Sequence, residues 1–267
     1  MRYTPPKLTG VPMRKGLLAA AAVAALVVSS PVLAQRCEHS RDLDLSTGAG
    51  GADLAVIIAE AGDLRVEGGS GSEIVISGRV CASTQDRLDA TTVTLDTRGD
   101  RVEIETEMPD SNWSWLGSNY AYIDLVVRVP ENLAVRIEDG SGNMTVSNVA
   151  AATIDDGSGN IDIRNVRGEL SVDDGSGNID IVGAGEVWVD DGSGNIDVRD
   201  AGEVTIDDDG SGNIDIENVS GSVLVGSDGS GSIYVSSVQG DFTVRRDGSG
   251  GIRHNDVSGT VDIPRKR

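Results

Sequence analysis

Aliphatic and polar residues alternate through the second half of the chain. Residues 161–163 read Ile-Asp-Ile, and residues 170–172 read Leu-Ser-Val. A period of two places the aliphatic side chains in a core and the polar ones in solvent, as in a half-buried β-strand. The aliphatic positions are mostly β-branched and follow no helical period, so this half is predicted to be all-β.

The alternating segments belong to a repeat. Asparagine follows the motif Asp-Gly-Ser-Gly in its first five copies, and a second glycine column lies between the motifs. Identical corners stack in register when successive coils run parallel, so we predict a single-stranded parallel β-solenoid with coils of about 18 residues. An antiparallel β-meander, with hairpin turns at both corners, is the alternative fold. The first glycines of the seven motifs are Gly140, Gly157, Gly175, Gly192, Gly210, Gly229 and Gly248.

The two corners of each coil differ in chemistry. Aspartate before glycine accepts backbone amides at a tight turn, and glycine tolerates a positive φ. The opposite corner reads Asn-Val-Arg-Gly at 165–168 and Asn-Val-Ser-Gly at 218–221, and its valine is predicted to fill the core at the bend. The asparagine column is predicted to form a ladder of side-chain amides between coils.

The chain before the repeat, residues 35–136, is predicted to form an irregular β-cap that continues into the regular solenoid of residues 137–267. Residues 62–76 match one degenerate unit of the repeat. A cap at this end would cover strand edges that otherwise pair with other chains, and basic residues between 245 and 267 are expected to discourage stacking at the other end. Longer strands are predicted at 92–95, 102–106 and 122–129.

The first 34 residues have the pattern of a secretory signal peptide. Arg14 and Lys15 precede an apolar run at 16–28, and Val-Leu-Ala at 32–34 offers a cleavage site. Met13 is an alternative start that would give the signal an ordinary length. The apolar run is too short to span a membrane. We therefore expect an exported protein of the periplasm, the cell surface or the extracellular space, with no membrane span after cleavage.

The chain has two cysteines, Cys37 and Cys81. An exported protein with two cysteines is expected to pair them. Their wide separation is unlike that of a redox-active Cys-x-x-Cys pair, so the predicted bridge is a structural clamp on the mature N-terminus.

Acidic residues outnumber basic ones by 43 to 22, which gives a formal net charge of −21. Residues 1–34 hold four basic residues and no acidic ones, so the mature chain carries about −25. This field repels nucleic acid and anionic lipid, and it attracts cations and basic proteins. Nucleic acid is therefore excluded as a partner, whereas a basic protein or an envelope component is compatible with this charge.

Two aspartate columns are the candidate cation sites. Like charges stacked about 4.8 Å apart repel by roughly 1 kcal/mol per pair even in water, so turn amides, solvent or divalent cations must offset them. The aspartate comes one residue late for the calcium-binding nonapeptide repeat. Turn formation and solvation are therefore the main prediction, and weak calcium binding is the secondary one. The columns comprise Asp156, Asp174, Asp191 and Asp209 at the corner, and Asp162, Asp180, Asp197 and Asp215 on a strand.

Three tryptophans are the candidate contacts with a partner. Trp113 and Trp115 lie in a predicted loop, and Trp188 points outward on its strand. Packing is the favoured role, with Trp188 covering neighbouring side chains and the loop of Trp113 and Trp115 packing over the end of the solenoid. No catalytic residue is assigned, because the paired aspartates recur identically in each coil as structural turns do, and His39 and His254 lie near no nucleophile motif.

The repeat is similar to that of a known family. Gly-Ser-Gly-x-Ile-x-Val units behind a signal peptide, following the strand Ile-Asp-Leu-Val-Val-Arg-Val-Pro at 123–130, resemble the bacterial toastrack proteins, which are adhesin-like β-repeat domains. The resemblance covers roughly residues 50–263. It implies a β-solenoid at the cell envelope with a scaffolding, adhesive or sensing role, and it supplies no catalytic residues.

The sequence thus predicts an exported acidic β-solenoid that acts as a structural, scaffolding or adhesin-like protein of the cell envelope, without catalysis or a cofactor. The alternative is a module that binds or senses an envelope ligand, a basic peptide or a divalent cation.

Overall fold

Parallel strands stack through most of the chain that the structure describes. This computed structural model describes residues 37–109 and 119–264. The part before the repeat contains β1 (His39–Gly48), β2 (Leu54–Ala59), β3 (Leu64–Gly69), β4 (Glu73–Ala82), the helix α1 (Gln85–Ala90), β5 (Thr92–Arg98), β6 (Arg101–Glu107) and β7 (Ala121–Pro130). The last three strands confirm those predicted at 92–95, 102–106 and 122–129.

The repeat supplies ten further strands, several of which continue around a corner. They are β8 (Ala134–Asp139), β9 (Met144–Ser147), β10 (Ala151–Asp156), β11 (Ile161–Asp174), β12 (Ile179–Asp191), β13 (Ile196–Asp209), β14 (Ile214–Val219), β15 (Val223–Val238), β16 (Phe242–Val257) and β17 (Val261–Asp262).

Each repeat forms one coil of two straight segments and two corners. In β11 the segments are residues 161–164 and 169–174, and each belongs to a separate row of strands. β11 pairs in parallel with β12, and β12 pairs in parallel with β13. Asp162 lies opposite Asp180, so identical residues stack in register. This pairing confirms the parallel β-solenoid and excludes the antiparallel meander.

The aliphatic columns form the core between the two rows of strands. Ile163 and Val172 are fully buried, and so are their counterparts in the neighbouring coils. Burying one such side chain stabilises the fold by about 1.5–3 kcal/mol. The corner valines Val166 and Val219 are also buried, with 2% and 1% of their surface exposed. They fill the core at the bend, as the sequence predicted.

The first coil of the stack is formed by β2 and β3, and it lies in the interior rather than at the end. β2 pairs in parallel with both β6 and β8, and β3 pairs in parallel with both β7 and β9. The chain therefore leaves this coil on one side, forms the end of the stack with β6 and β7, and returns on the other side with β8. The parallel order of coils in space differs from their order along the chain.

The corner of this first coil lies at residues 60–63. The Gly62 amide donates to the Ser141 carbonyl over 3.1 Å, which places residues 60–63 directly on the first Asp-Gly-Ser-Gly corner. Within the degenerate unit predicted at 62–76, the Gly-Ser-Gly-Ser at residues 69–72 does not form such a corner. Those residues lead from β3 into β4, which runs antiparallel to β7 and to β1.

Antiparallel strands and a helix cover the N-terminal end of the core. β5 pairs antiparallel with β6, and β1 forms the outer edge of the other row. The side chain of Thr84 accepts the Arg87 amide and begins α1, whose Leu88 is 95% buried against the core cluster. Cys37 and Cys81 form the predicted disulfide, with Cα atoms 5.4 Å apart, and it ties the start of β1 to β4.

Glycine is required where corners stack. Gly177 has φ +151°, and a Cβ atom there would collide with the carbonyl oxygen of Gly159 in the preceding coil. At the opposite corner one residue per coil adopts a left-handed conformation, with φ between +53° and +60° in the non-glycine residues. Asparagine and aspartate tolerate this conformation better than other side chains, which explains their use at that corner. These residues are Asn148, Asn165, Asp200, Asn218, Ser237 and Asp256, with Gly183 in the remaining coil.

Candidate functional site

The solenoid presents two outward faces with different charge arrangements. We call the first the arginine face, which comprises the outward side chains of Asp162, Arg164, Asp180, Asp197, Arg199 and Asp215. We call the second the tryptophan face, which comprises Glu169, Ser171, Asp173, Glu186, Trp188, Asp190, Glu203, Thr205 and Asp208. The pairing register aligns each face across neighbouring coils.

Arginines form ion pairs with Asp162, Asp180 and Asp197 of the arginine face, whereas Asp215 forms none among the described residues. Arg164 lies 2.9 Å from Asp162 and 3.8 Å from Asp180. Arg199 lies 3.9 Å from Asp180 and 3.5 Å from Asp197. Each arginine thus spans two coils, and the sequence analysis had considered only solvent and divalent cations as partners for this column. These exposed ion pairs offset the like-charge repulsion without adding much stability.

The corner aspartates are buried, so the solvation predicted for the two columns does not extend to the corner column. Asp156, Asp174 and Asp191 are each 2% exposed, and Asp209 is fully buried. The carboxylates turn beneath the corner, where one oxygen of each of the first three accepts the amide two residues further on, over 3.0–3.2 Å. The predicted turn-forming role is therefore confirmed. The second oxygen of each of these three is buried and has no hydrogen-bond partner among the described residues.

Burial changes the acidity of this column. Desolvation, followed by the carboxylate of Asp156, raises the pKa of Asp174 to about 7. Desolvation, with the neighbouring carboxylates of Asp191 and Asp228, raises the pKa of Asp209 to about 7. Burial also raises the pKa of Asp191 to about 6. A proton on the free oxygen removes both the buried charge and the repulsion between coils.

The raised pKa values link stability to pH. A native pKa of about 7, against an unfolded value near 3.9, means that the native state retains a proton which the unfolded chain releases between these values. The corner aspartates therefore stabilise the fold fully below about pH 4. That stabilisation decreases as the pH rises through about 7.

The described part of the chain contains no preformed cluster of side-chain ligands for calcium. No group of three or more His, Cys, Asp or Glu residues in segments 37–109 and 119–264 is arranged to hold a metal ion. Calcium takes six to eight oxygen ligands, and the corner oxygens face a neighbouring coil rather than a cavity. Weak calcium binding by the two columns stays a prediction.

The asparagine column forms the predicted amide ladder. Asn178 donates through Nδ2 to Oδ1 of Asn160 over 3.0 Å, and its own Oδ1 accepts both the amide and Nδ2 of Asn195 over 3.1 and 3.0 Å. The same pattern extends from Asn143 to Asn213. Its start is Asp63 in the first coil, whose carboxylate accepts the amide and Nδ2 of Asn143. These side chains are occupied by contacts between coils, so they serve the architecture.

Trp188 is the one aromatic side chain on the tryptophan face. It stands between Ser171 and Thr205, its register partners in the coils on either side, and is half-buried. A shallow groove of about 420 Å³ follows its ring, and glutamates line one side of it. The small neighbours leave the indole accessible, so the outward position predicted for Trp188 is confirmed.

The sequence analysis missed the glutamates of this groove. Glu169, Glu186 and Glu203 stack in register on neighbouring strands. Each directly follows the second glycine column, at Gly168, Gly185 and Gly202, and this regular position was the available signal. On the other side of Trp188 runs a second acidic column of Asp173, Asp190 and Asp208.

His39 and His254 do not join this groove. Trp113 and Trp115 lie outside the described residues, as does the predicted signal peptide. His39 begins β1 at the N-terminal end, whereas His254 lies in β16 near the C-terminal end. No helix in the described segments is long and apolar enough to cross a membrane.

Comparison with known proteins returns structures but no sequence family. No family model and no curated relative matches the chain. A proposed cell adhesion protein from Clostridium sporogenes is 10% identical, with 85% of this chain and 100% of that chain covered and a TM-score of 0.34. A proposed adhesin from Bacteroides fragilis is 13% identical, with 84% and 97% covered and a TM-score of 0.40. A proposed lipid binding protein from Parabacteroides distasonis is 12% identical, with 84% and 97% covered and a TM-score of 0.29.

Because these identities and TM-scores are low, the fold class is assigned from the strand pairing of the chain itself. That pairing defines a parallel β-solenoid with an antiparallel cap. This is the fold that the toastrack resemblance implied. Its function has to be argued from the faces described above.

Proposed function

We propose that this protein is an exported structural, scaffolding or adhesin-like component of the cell envelope that performs no catalysis. The observation that carries the proposal is the use of the repeated polar residues within the stack. The asparagines bond to the next coil and the corner aspartates bond to turn amides. The repeat therefore builds a rigid support, and the functional contacts belong to its outward faces.

Two further features support an envelope location. The disulfide between Cys37 and Cys81 suits an oxidising compartment outside the cytoplasm. Residues 1–34 have the charge and apolar pattern of a secretory signal. The acidic surface keeps such a β-rich protein soluble and repels anionic polymers.

The non-catalytic assignment rests on the environment of the carboxylates. A catalytic pair of carboxylates occupies one position in a cleft and differs from its surroundings. Here Asp174 and Asp191 have the same burial and the same bond to a turn amide. Their raised pKa values follow from stacking in the core beneath a corner, where no substrate has access.

A binding or sensing module is the second candidate, with an envelope ligand, a basic peptide or a divalent cation as its ligand. The groove at Trp188 favours it, because an accessible tryptophan beside stacked glutamates is a local feature that the repeat does not require.

The two functions differ in how they respond to deletion and substitution. Removing one whole coil, residues 196–213, joins Asn195 to Ile214 and keeps the stacking register of the solenoid. A scaffold should remain folded and keep its envelope association after this deletion and after Trp188→Ala. A binding module should lose its partner with Trp188→Ala alone.

Cell fractionation with in vivo photo-crosslinking tests the proposal directly. A photoreactive residue at Thr205 reports contacts of the tryptophan face, and one at Val182 reports contacts of the arginine face. We expect the mature protein in the envelope fraction, crosslinked to an envelope component. A cytoplasmic protein, or a polysaccharide that the purified protein turns over, would contradict the proposal.

A further inference from the structure

We propose that the tryptophan face binds an arginine-containing basic segment of a partner protein, with a guanidinium seated between Trp188 and Glu186. This inference rests on the second function proposed above, a module that binds a basic peptide, because it names the contact that such a module would make. It concerns a surface that the repeat architecture leaves unused.

The first support is the contrast between the two faces. On the arginine face, Arg164 and Arg199 pair with the stacked aspartates. On the tryptophan face, no carboxylate of the two acidic columns forms an ion pair or a side-chain hydrogen bond within the described residues. The same chain thus pairs three of the four aspartates of one acidic column internally and leaves two other columns open to a cation from outside.

The second support is the like-charge strain on this face. Burial, followed by the carboxylates of Asp173 and Asp208, raises the pKa of Asp190. Glu169, Glu186 and Glu203 repeat at the strand spacing of about 4.8 Å, close enough for mutual repulsion. A bound cation would relieve repulsion on both sides of Trp188.

The third support is the position of the tryptophan. Ser171 and Thr205 are small, so the indole of Trp188 faces a groove of about 420 Å³ that Glu169, Glu186 and Glu203 line. Tryptophan is the best aromatic partner for a cation, and arginine is the cation that most often stacks on it. A guanidinium also forms bidentate bonds with a carboxylate, so one arginine can use the indole and Glu186 together.

These features select a basic peptide over the other cations. A metal ion gains nothing from the indole, and the described residues contain no preformed metal-binding group. The net charge of −21 attracts a basic chain from a distance. Lysine would gain the charge attraction but would lose the planar stacking and the bidentate bond.

The experiment is a titration of the oxidised mature protein with a short labelled peptide of alternating arginine and glycine. The lysine counterpart and calcium chloride serve as comparison ligands. Trp188→Thr is the main variant, because threonine occupies the equivalent position at Thr153 and Thr205 and should preserve the fold. Glu186→Gln removes one groove charge, and Asp197→Asn removes one charge from the arginine face as the matched control.

We expect Trp188→Thr to weaken arginine-peptide binding roughly tenfold, and Glu186→Gln to weaken it roughly fivefold. Asp197→Asn should leave binding within about twofold, and the lysine peptide should bind more weakly than the arginine peptide. Absence of binding, equal losses with Glu186→Gln and Asp197→Asn, or insensitivity to Trp188→Thr would each overturn the inference. An envelope crosslink that persists in Trp188→Thr would uphold the scaffolding function proposed first and remove this site alone.

Discussion

The asparagine ladder makes a quantitative prediction about how the coils are held together. Asn178→Ala removes three side-chain hydrogen bonds, one donated to Asn160 and two accepted from Asn195. Asn213→Ala removes only two, because the ladder ends at Ser232, whose backbone amide alone donates to Asn213. The two variants change the same residue type at equally exposed corners.

The expected losses follow from the number of bonds. Each hydrogen bond adds about 0.5–1.5 kcal/mol net, and exposed ones lie in the lower half of that range. At about 0.7 kcal/mol per bond, Asn178→Ala should therefore lower the free energy of unfolding by about 2 kcal/mol, and Asn213→Ala by about 1.3 kcal/mol. For a chain of this size the larger loss corresponds to a fall in Tm of about 4–8 °C.

Urea and thermal unfolding, followed by far-UV circular dichroism, measure these losses. Ser176→Ala is the matched control, since its hydroxyl group forms no hydrogen bond and only its amide bonds to Asp174. It should change stability by less than about 0.5 kcal/mol. If Asn178→Ala were no worse than Ser176→Ala, the ladder would contribute nothing and the core alone would hold the coils. A greater loss for Asn213→Ala than for Asn178→Ala would refute the bond count.

Three further predictions concern the corners and the cap. Asp174→Asn keeps the acceptor for the Ser176 amide and carries no charge, so the loss of stability between pH 5 and pH 8 should shrink by at least about 1 kcal/mol in urea unfolding. The exposed control Asp173→Asn should change that loss much less, because Asp173 is the smallest of the causes that raise the pKa of Asp174. Gly183→Asn should be tolerated to within about 1 kcal/mol, because asparagine adopts the same left-handed corner elsewhere, while Gly177→Asn should prevent folding at that coil. Reducing the Cys37–Cys81 bridge should destabilise the cap by about 2–4 kcal/mol and speed hydrogen exchange in β1 and β4, with β12 unchanged.

The periodic part of the fold could be predicted from the sequence because every coil repeats the same local sequence pattern. The alternation around Asp162 assigns the inward and outward positions, and Asp-Gly-Ser-Gly assigns a corner. With seven repeats, a parallel stack in register is the arrangement that places identical residues of every column next to each other. The amide ladder and the buried corner valines followed from that register.

The N-terminal part could not be predicted in the same way, because its order in space differs from its order along the chain. β2 and β3 lie between the coil of β6 and β7 and the coil of β8 and β9. No local pattern encodes a strand with parallel partners about 45 and 80 residues away. The true corner at residues 60–63 was missed for this reason, since it lacks the motif and is recognised only by its position on Ser141.

The properties of the charged columns could likewise be predicted from the sequence only in part. The sequence by itself determined where each aspartate falls within a coil, and it determined that Trp188 points outward. Only the tertiary structure decided that the corner carboxylates are buried and have raised pKa values, and that Arg164 and Arg199 pair with aspartates of one face. It also decided that the acids around Trp188 form no ion pair among the described residues. The physical reason is that charge and solvation depend on neighbours from adjacent coils, which a pattern along one strand does not contain.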